Sequence, residues 1–431
     1  SYHKTNDNST YFFRYTSTKI YGRSGGSWTE YTADTGASLS GTVNDRFQSV
    51  TAFDRHIFTN RGADKLQELD VNTGKYALLG NAPAYKYITA FGNRIVGAHL
   101  MTPTENGAYV GWSGDGAIDE WDPLVDETAG GGPLVDSPSD FGDFCTGIFG
   151  FTNVLIVLRE QSVWLATKQP VPTQPFYFYT AVPGLGCDCP DSAVIGDKTL
   201  MWVDTRSGTV WMWAPGGDAP QPIGRPIEDQ LFAGIDDPAQ VFASYSPITG
   251  DYSICIPQSA YDYVIEWNFN RRTNAWTKNE REAITCIDDI DLATATTTIG
   301  DLGDLPIGAL SGTIGDLSPT YDSTPTRVYG RNDGEITYED ETVYKDPVVS
   351  GSINTTGAFT TEMVSKTFVA PTDDMYFSEV RVGYVPQTTT PLTLHFSRDG
   401  GVTWSSVTKS VTPTAAMICK PQLFSFVRTT K

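Results

Sequence analysis

The side chains most suited to binding a cation are the aspartates near residue 290. Asp288, Asp289 and Asp291 fall within four residues, and carboxylate oxygens are the ligands that Ca²⁺ prefers. Because the spacing lacks the complete ligand loop and its terminal glutamate, we do not predict a calcium site. The stretch 288–323 contains no Lys or Arg and repeats Thr-Ile-Gly-Asp-Leu at 298–302 and 313–317. We interpret it as an acidic insertion of turns or short strands.

A second motif, Ser-Arg-Asp-Gly-Gly-Val-Thr-Trp at 397–404, matches the Asp-box pattern of sialidase-type propellers. Asp399 can accept main-chain N–H groups, Gly401 can take a positive φ, and Trp404 can pack back on the sheet. The pattern occurs once in this chain, whereas sialidases carry several copies. We therefore interpret the motif as a structural turn formed by Ser397, Asp399, Gly401 and Trp404.

Other catalytic patterns give no site. A sialidase needs three arginines around one carboxylate, and the spacing does not show that any three converge among Arg55, Arg94, Arg159, Arg225 and Arg331. Metalloprotease, nucleophile-elbow, phosphate-loop and dinucleotide motifs are missing, and the six cysteines lack zinc-site spacing. The sequence predicts no catalytic, cofactor-binding or metal-binding residue, and we expect that the chain is not an enzyme.

Charge limits the partners. The 431 residues carry a net charge of −21, so the chain repels nucleic acid and anionic membranes rather than binding them. The longest clean apolar run, 154–158, is too short to span a bilayer. If DNA is involved, we expect it to pass without sequence-specific binding.

These residues must be positioned by a repeated strand–turn–strand unit. Its second strand is almost entirely apolar, which is typical of a sheet covered on both faces. The unit returns about every 40 to 50 residues, the period of a four-stranded blade, and its clear copies include 47–60, 87–97, 147–158, 193–203 and 241–256. A weaker unit covers 11–28. The sequence therefore predicts an all-β protein with a β-propeller of six or seven blades.

We expect two domains. The propeller would occupy 1–344, with one insertion at about 122–143, which shows no strand pattern, and another at about 288–323. Beyond 345 the sequence becomes rich in threonine and alternates in polarity, which predicts a small C-terminal β-sandwich over 345–431.

Several short motifs occur in an order that resembles one protein family. They span roughly 45–320 and comprise Ile-Phe-Thr-Asn-Arg-Gly (57–62), Ala-Pro-Ala-Tyr-Lys (82–86), Phe-Gly-Asn-Arg-Ile (91–95), Gly-Trp-Ser-Gly (111–114), Glu-Trp-Asp-Pro (120–123), Leu-Arg-Glu-Gln-Ser-Val-Trp (158–164), Pro-Ile-Gly (222–224) and the paired Thr-Ile-Gly-Asp-Leu segments. The chain is similar to the tail nozzle or tail-hub proteins of tailed bacteriophages, including the packaged-DNA stabilisation type. It departs from them at Arg61, where glycine or Gly-Asp is expected.

The resemblance implies a structural virion protein that forms a homo-oligomeric ring, a hexamer, in the phage tail. That ring would contact the adaptor and tail fibre proteins, close the DNA channel and permit genome ejection. On this interpretation the acidic insertion, or other propeller loops, would form the channel rim or gate, with candidate residues Asp288, Asp289, Asp291, Asp301, Asp304 and Asp316. Two alternatives stay open: a glycan-binding or glycan-cleaving propeller, tail-associated or secreted, and a propeller scaffold for protein partners.

Overall fold

The computed structural model describes residues 2–4, 10–24, 27–42, 45–136, 142–258, 263–282, 284–290 and 326–331, and strands at 336–338, 347–350, 353–356, 361–364, 379–384, 390–396, 405–411 and 420–425. Within these residues the protein is almost entirely β. Helical structure there is limited to α1 (Glu228–Ala233) and to 3₁₀ turns at Pro190–Ser192 and Pro238–Gln240. None of the described helices has the length and apolar character to cross a membrane.

The first strands of the chain form an N-terminal meander: β1 (Tyr2–Lys4), β2 (Thr10–Tyr15), β3 (Ile20–Ser24) and β4 (Ser27–Ala33). The first sheet follows with β5 (Phe47–Ala52), β6 (Arg55–Asn60), β7 (Gln67–Asp70) and β8 (Lys75–Leu78). β4 pairs in parallel with β8, so meander and first sheet form one eight-stranded sheet. Side chains of the meander, including Phe13 and Ile20, also pack against Phe58 and Leu69 of the first sheet.

Four more sheets repeat the antiparallel four-strand plan. The second contains β9 (Tyr85–Ala90), β10 (Ile95–Leu100), β11 (Asn106–Trp112) and β12 (Gly130–Pro133); the third contains β13 (Cys145–Phe151), β14 (Val154–Arg159), β15 (Ser162–Lys168) and β16 (Phe176–Pro183). The fourth contains β17 (Val194–Gly196), β18 (Thr199–Asp204), β19 (Thr209–Trp213) and β20 (Gln221–Pro222); the fifth contains β21 (Phe242–Ser246), β22 (Asp251–Gln258), β23 (Tyr263–Asn270) and β24 (Ala275–Glu282).

A sixth sheet has three described strands: β25 (Ile284–Ile290), β26 (Thr326–Arg331) and β27 (Ile336–Tyr338). The remaining strands are β28 (Pro347–Ser350), β29 (Ile353–Thr356), β30 (Thr361–Val364), β31 (Glu379–Tyr384), β32 (Thr390–Phe396), β33 (Ser405–Val411) and β34 (Lys420–Ser425). β28 pairs with β29, β31 with β34 and β32 with β33. These isolated pairs leave the C-terminal sandwich a prediction.

The apolar second strands explain why the sheets stack face to face. On β14, Leu155 and Val157 pack with the second sheet, whereas Ile156 and Leu158 pack with the fourth. A strand with both faces buried gains from burial on each side, at about 25 cal/mol per Å² of apolar surface, and needs the unbroken apolar run seen in the sequence. Equivalent apolar layers separate the other consecutive sheets, from the first to the sixth.

The first strands of the sheets converge on a common axis. β5 contacts β9, β9 contacts β13, and β21 contacts both β17 and β25. Arg46, just before β5, donates to the carbonyl of Thr285 in the sixth sheet at 2.8 Å and stacks on Phe242 of the fifth at 4.5 Å. One side chain can reach distant sheets in this way only where their inner ends meet, so the sheets are arranged as in a β-propeller.

Two predicted boundaries differ from the structure. The segment 122–143, expected to lack strands, contains β12, which completes the second sheet. Its glycines make this strand look like a loop in the sequence. A Cβ at Gly131 would lie 2.7 Å from the Tyr109 ring, so the strand needs glycine to approach the sheet. β30 lies beyond the predicted boundary at 344, yet it pairs with β24 as a fifth strand of the fifth sheet.

Candidate functional site

The axial end of the molecule, where the sheets begin, holds a polar cluster that we call the axial cluster: Arg46, Arg61, Lys86, His99, Glu105 and Asp191. Asp191, in the 3₁₀ turn before the fourth sheet, is its centre. Arg61 of the first sheet's loop forms an ion pair with the Asp191 carboxylate, and Arg46 lies 3.5 Å from it. All three side chains are at most one-quarter exposed, so these ion pairs tie the first sheet to the fourth with limited solvent screening.

Arg61 occupies a backbone conformation that normally favours glycine. Its φ is 57°, in the left-handed region, which costs a non-glycine residue roughly 1–2 kcal/mol. Its guanidinium is held by Asp191 and by the Tyr87 ring, whose centroid lies 4.7 Å away. The Arg61 side chain therefore joins the first, second and fourth sheets from a strained backbone position.

Three further groups extend the cluster across the second sheet. Lys86 on β9 lies 3.7 Å from Glu105, and His99 Nε2 lies 3.1 Å from the same carboxylate. Burial lowers the pKa of Lys86, against the opposing effect of Glu105. Glu105 lies beside both Lys86 and His99. Its pKa is lowered, chiefly because of the hydrogen bond with His99.

His99 is placed between two oxygen acceptors. Nδ1 lies 3.1 Å from the Cys145 carbonyl and Nε2 faces Glu105. A neutral imidazole can donate from only one nitrogen, so satisfying both contacts requires an additional proton on either His99 or Glu105. Burial lowers the pKa of His99, and the hydrogen bond with Glu105 opposes that shift.

A surface cavity of about 410 Å³ opens beside this pair, lined by Glu105, Asn106, Gly107 and Phe144. The Phe144 ring packs edge-on against His99, with centroids 5.8 Å apart. The cavity therefore exposes one carboxylate to solvent while His99 lies behind it, only 6% exposed. Chemically, the arrangement presents a carboxylate that can accept hydrogen bonds from a small polar group in the cavity.

A second charged group lies between the fifth and sixth sheets, and we call it the inter-sheet network: Glu266, Arg281, Asp289 and Arg327. Glu266 is fully buried and forms an ion pair with Arg281. Arg327 Nε lies 3.2 Å from Asp289, and its Nη1 donates to Ser253 at 2.7 Å. Burial alone would raise the pKa of Glu266, but the charges of Arg281 and Arg327 outweigh it and the pKa is lowered.

This network locates two of the predicted acidic residues. Asp288 and Asp289 lie on β25 and not in a loop, and Asp289 is only 7% exposed because it pairs with Arg327. Burial raises the pKa of Asp288. Asp291, Asp301, Asp304 and Asp316 lie outside the described residues, as do Ser397, Asp399, Gly401 and Trp404.

Three of the five arginines considered for a sialidase site serve separate structural roles. Arg94 donates to the carbonyls of Ser113 and Thr128 at 2.7 and 2.6 Å, and Arg159, fully buried, donates to those of Asp143 and Leu134. Arg55 pairs with Glu68 and Asp119 on the surface. These three arginines are therefore committed to different contacts in different sheets.

Sequence reasoning missed the axial cluster. Its members come from strands and loops that are separated by many residues, and none belongs to a catalytic motif. One signal was available in the sequence: Arg61 stands where glycine or Gly-Asp was expected, and its φ of 57° is one that glycine adopts without strain.

No family model matches the sequence, and no curated protein matches it significantly. Among solved structures, a puromycin-hydrolyzing peptidase of Mycobacterium tuberculosis is 12% identical, with 78% of this chain and 50% of that chain covered and a TM-score of 0.36. The periplasmic gluconolactonase of Pseudomonas aeruginosa is 10% identical, with 80% and 94% covered and a TM-score of 0.34. A quinonprotein alcohol dehydrogenase-like protein of Bacteroides thetaiotaomicron is 8% identical, with 61% and 63% covered and a TM-score of 0.32.

The chain thus spans half the length of the peptidase and less than two-thirds of the dehydrogenase-like protein. These matches correct the sequence-based prediction that the chain is not an enzyme, because a peptidase and a gluconolactonase are among the matched proteins. With all three TM-scores below 0.5, the likeness assigns no reaction or substrate to this chain.

Proposed function

We propose that the protein is a structural component of a bacteriophage tail, a nozzle or hub ring that forms and closes the DNA channel and permits genome ejection. The proposal rests on the ordered motifs between residues 57 and 224. It includes a homo-oligomeric ring, a hexamer, that contacts adaptor and tail fibre proteins in the virion.

The observation that carries the proposal is what these motif residues do. In the Thr-Asn-Arg-Gly motif, Thr59 Oγ1 donates to the Tyr85 carbonyl at 2.5 Å, joining the first and second sheets, and Arg61 binds Asp191. In the Phe-Gly-Asn-Arg-Ile motif, Arg94 donates to Ser113, within the Gly-Trp-Ser-Gly motif. The first motif therefore joins different sheets, and the second joins two motifs within one sheet, so sharing the motifs in order favours a shared architecture.

Charge supports the same role. The net charge of −21 per chain multiplies in a ring, and carboxylates around a channel repel phosphate. DNA would then pass through without adhering to the wall. This channel function assigns no binding to individual bases.

The proposal is tested in virions that carry Lys at Asp301, Asp304 and Asp316. If these residues line the channel, attraction between Lys and phosphate slows DNA ejection in vitro. The rate is measured by the fluorescence of a dye that binds DNA once it has left the capsid. The matched control places the same charge change at Asp54, Asp218 and Asp229, which are exposed on the first sheet, the fourth sheet and α1.

Two results would contradict it. Equal ejection rates for the Asp301, Asp304 and Asp316 variant and the control variant would show that these three residues do not act as the gate. Immunogold labelling that finds the protein nowhere on the tail would remove the virion role itself, and binding to a glycan array would then favour the glycan-binding alternative.

A further inference from the structure

The outer edges of the six sheets are protected in different ways, with one exception. An exposed edge strand offers unpaired N–H and C=O groups to another chain, and natural proteins shorten or cover such edges. β4 covers the edge of the first sheet and β30 covers that of the fifth. The outer strands of the second, fourth and sixth sheets are only four, two and three residues long.

The exception is β16, the outer strand of the third sheet. It runs for eight residues, Phe-Tyr-Phe-Tyr-Thr-Ala-Val-Pro, and no further strand pairs with it among the residues that the structure describes. It carries no charged side chain, in a chain of net charge −21. Charged residues are a usual protection of exposed edges, so β16 is long, uncharged and open.

One face of β16 exposes two aromatic rings. Tyr177 is 61% and Tyr179 37% exposed, and their rings stack with centroids 6.1 Å apart. Tyr179 lies opposite Leu165, whose face packs toward the fourth sheet. Because the outer strand of that sheet has only two residues, it ends too soon to cover the tyrosines.

The free main-chain groups of β16 can be assigned from its pairing with β15. Gln169 N–H donates to the Pro175 carbonyl at 2.8 Å, and hydrogen-bonded and non-hydrogen-bonded pairs alternate along an antiparallel ladder. Pairs 167/177 and 165/179 are then the hydrogen-bonded ones. The N–H and C=O groups of Phe176, Phe178 and Thr180 consequently point away from the sheet.

We propose that β16 is a homodimerisation edge, whose occupant is the β16 strand of a second copy of this chain. In a contact on a twofold axis, residue i of one copy meets residue j of the other and j meets i, and because Tyr177-Phe178-Tyr179 is symmetric about Phe178, such a contact places like side chains opposite each other. Antiparallel pairing centred on Phe178 places Phe176 opposite Thr180 of the other copy. The outward groups then form about six main-chain hydrogen bonds across the axis.

The same register covers the exposed rings. Tyr177 lies opposite Tyr179 of the second copy in a non-hydrogen-bonded pair, where side chains approach most closely. Cross-strand aromatic pairs stabilise sheets, and four tyrosines form one continuous layer. The side chains of β16 itself add no repulsion between two acidic chains, and the Asp136 carboxylate, which accepts from Thr180 Oγ1 at 3.2 Å, lies beside the strand. One strand pair buries less than the roughly 1,200–2,000 Å² of a stable interface, so the dimer dissociates in about the micromolar range.

Sedimentation velocity across a concentration series tests this with the full chain. The wild type is expected to convert from monomer to dimer as its concentration rises. Thr180→Pro removes an outward N–H from each copy at an edge position where proline is tolerated, and is expected to raise the dissociation constant at least about tenfold. Tyr177→Lys with Tyr179→Lys brings like charges into opposition and is expected to abolish the dimer.

Tyr263→Lys is the matched control, because Tyr263 is similarly exposed, at 43%, but lies on β23 between two paired strands. It should dimerise like the wild type. Circular dichroism melting shows whether each variant folds, and hydrogen–deuterium exchange should slow at Phe176, Phe178 and Thr180 on dimerisation.

A wild type that stays monomeric at high micromolar concentration overturns the proposal. So does a dimer that survives both β16 variants, or one that leaves exchange at the three amides unchanged. The inference is independent of the proposed tail role, which concerns assembly in the virion.

Discussion

The axial cluster and the inter-sheet network both contain ion pairs, but they differ in burial. The ion pair of Arg61 with Asp191 joins two sheets, whereas the fifth and sixth sheets are joined by the hydrogen bond from Arg327 to Ser253. Asp191 and its arginines are 12–25% exposed, whereas Glu266 is fully buried and Asp289 nearly so. A buried pair is costly to break because the remaining charge has lost its water. Where the side chains are partly exposed, water can solvate the charge that remains, so breaking the pair lowers the free energy of unfolding by less. The comparison predicts that substitutions in the inter-sheet network lower the free energy of unfolding more than substitutions in the axial cluster.

The largest effect is expected from Arg281→Met. It leaves the Glu266 carboxylate buried opposite an apolar side chain, which should lower the free energy of unfolding by about 3–5 kcal/mol. Urea denaturation followed by tryptophan fluorescence measures it. Arg281→Met combined with Glu266→Gln removes both charges and should recover part of the loss; a double variant no more stable than the single one would show that charge burial is not the cause.

The pH dependence of stability is the next test. The folded pKa of Glu266 is lowered below its ordinary value of 4.5, so its ionised form stabilises the fold above pH 4.5 and this contribution is lost as the pH falls through the folded value. The difference in unfolding free energy between wild type and Glu266→Gln should therefore shrink toward acid pH. A difference that stays constant between pH 7 and pH 3 would contradict the assignment.

A smaller effect is expected from Asp191→Asn in the axial cluster. Removing the charge shared by Arg46 and Arg61 should cost about 1–2 kcal/mol, between the values for exposed and buried pairs. Asp197→Asn is the control, since Asp197 pairs with Arg271 at 3.3 Å but is 60% exposed; it should cost less. An equal loss of unfolding free energy in the two variants would show that burial does not determine the strength of these ion pairs.

The smallest effect is expected at Arg61, where two substitutions distinguish the contribution of backbone strain from that of side-chain contacts. Arg61→Ala and Arg61→Gly both lose the ion pair, but only glycine adopts a φ of 57° without strain. The glycine variant should be more stable than the alanine variant by about 1 kcal/mol. Thermal unfolding measured side by side checks this, and identical melting temperatures would exclude strain at this position.

Much of the fold could be predicted because its signal is local. The apolar run of β14 and the turn at Asn93, whose φ is 61°, follow from periodicity and turn chemistry. The β-propeller arrangement agrees with that expectation. The glycine-rich β12 was missed because its sequence reads as a loop, and β30 because pairing with β24 depends on residues far away in the chain.

The candidate site was harder to predict for a related reason. Arg61 and Asp191 meet across 130 positions of sequence, and no spacing rule connects them. Their ion pair can form only after the sheets are arranged around an axis. The acidic residues Asp288 and Asp289 show the converse: a local pattern suggested a loop, but Arg327 places one of them inside a sheet interface.

The bond from Arg46 to the Thr285 carbonyl joins residues 239 positions apart. At a synthesis rate of 5–20 residues per second, a ribosome needs about 10–50 s to advance from one to the other. During that interval the nascent chain must carry its early sheets with an unfinished axial end, exposed to chaperones and to neighbouring chains. Slowing translation would lengthen this period, because the bond forms only after Thr285 of the sixth sheet has been synthesised.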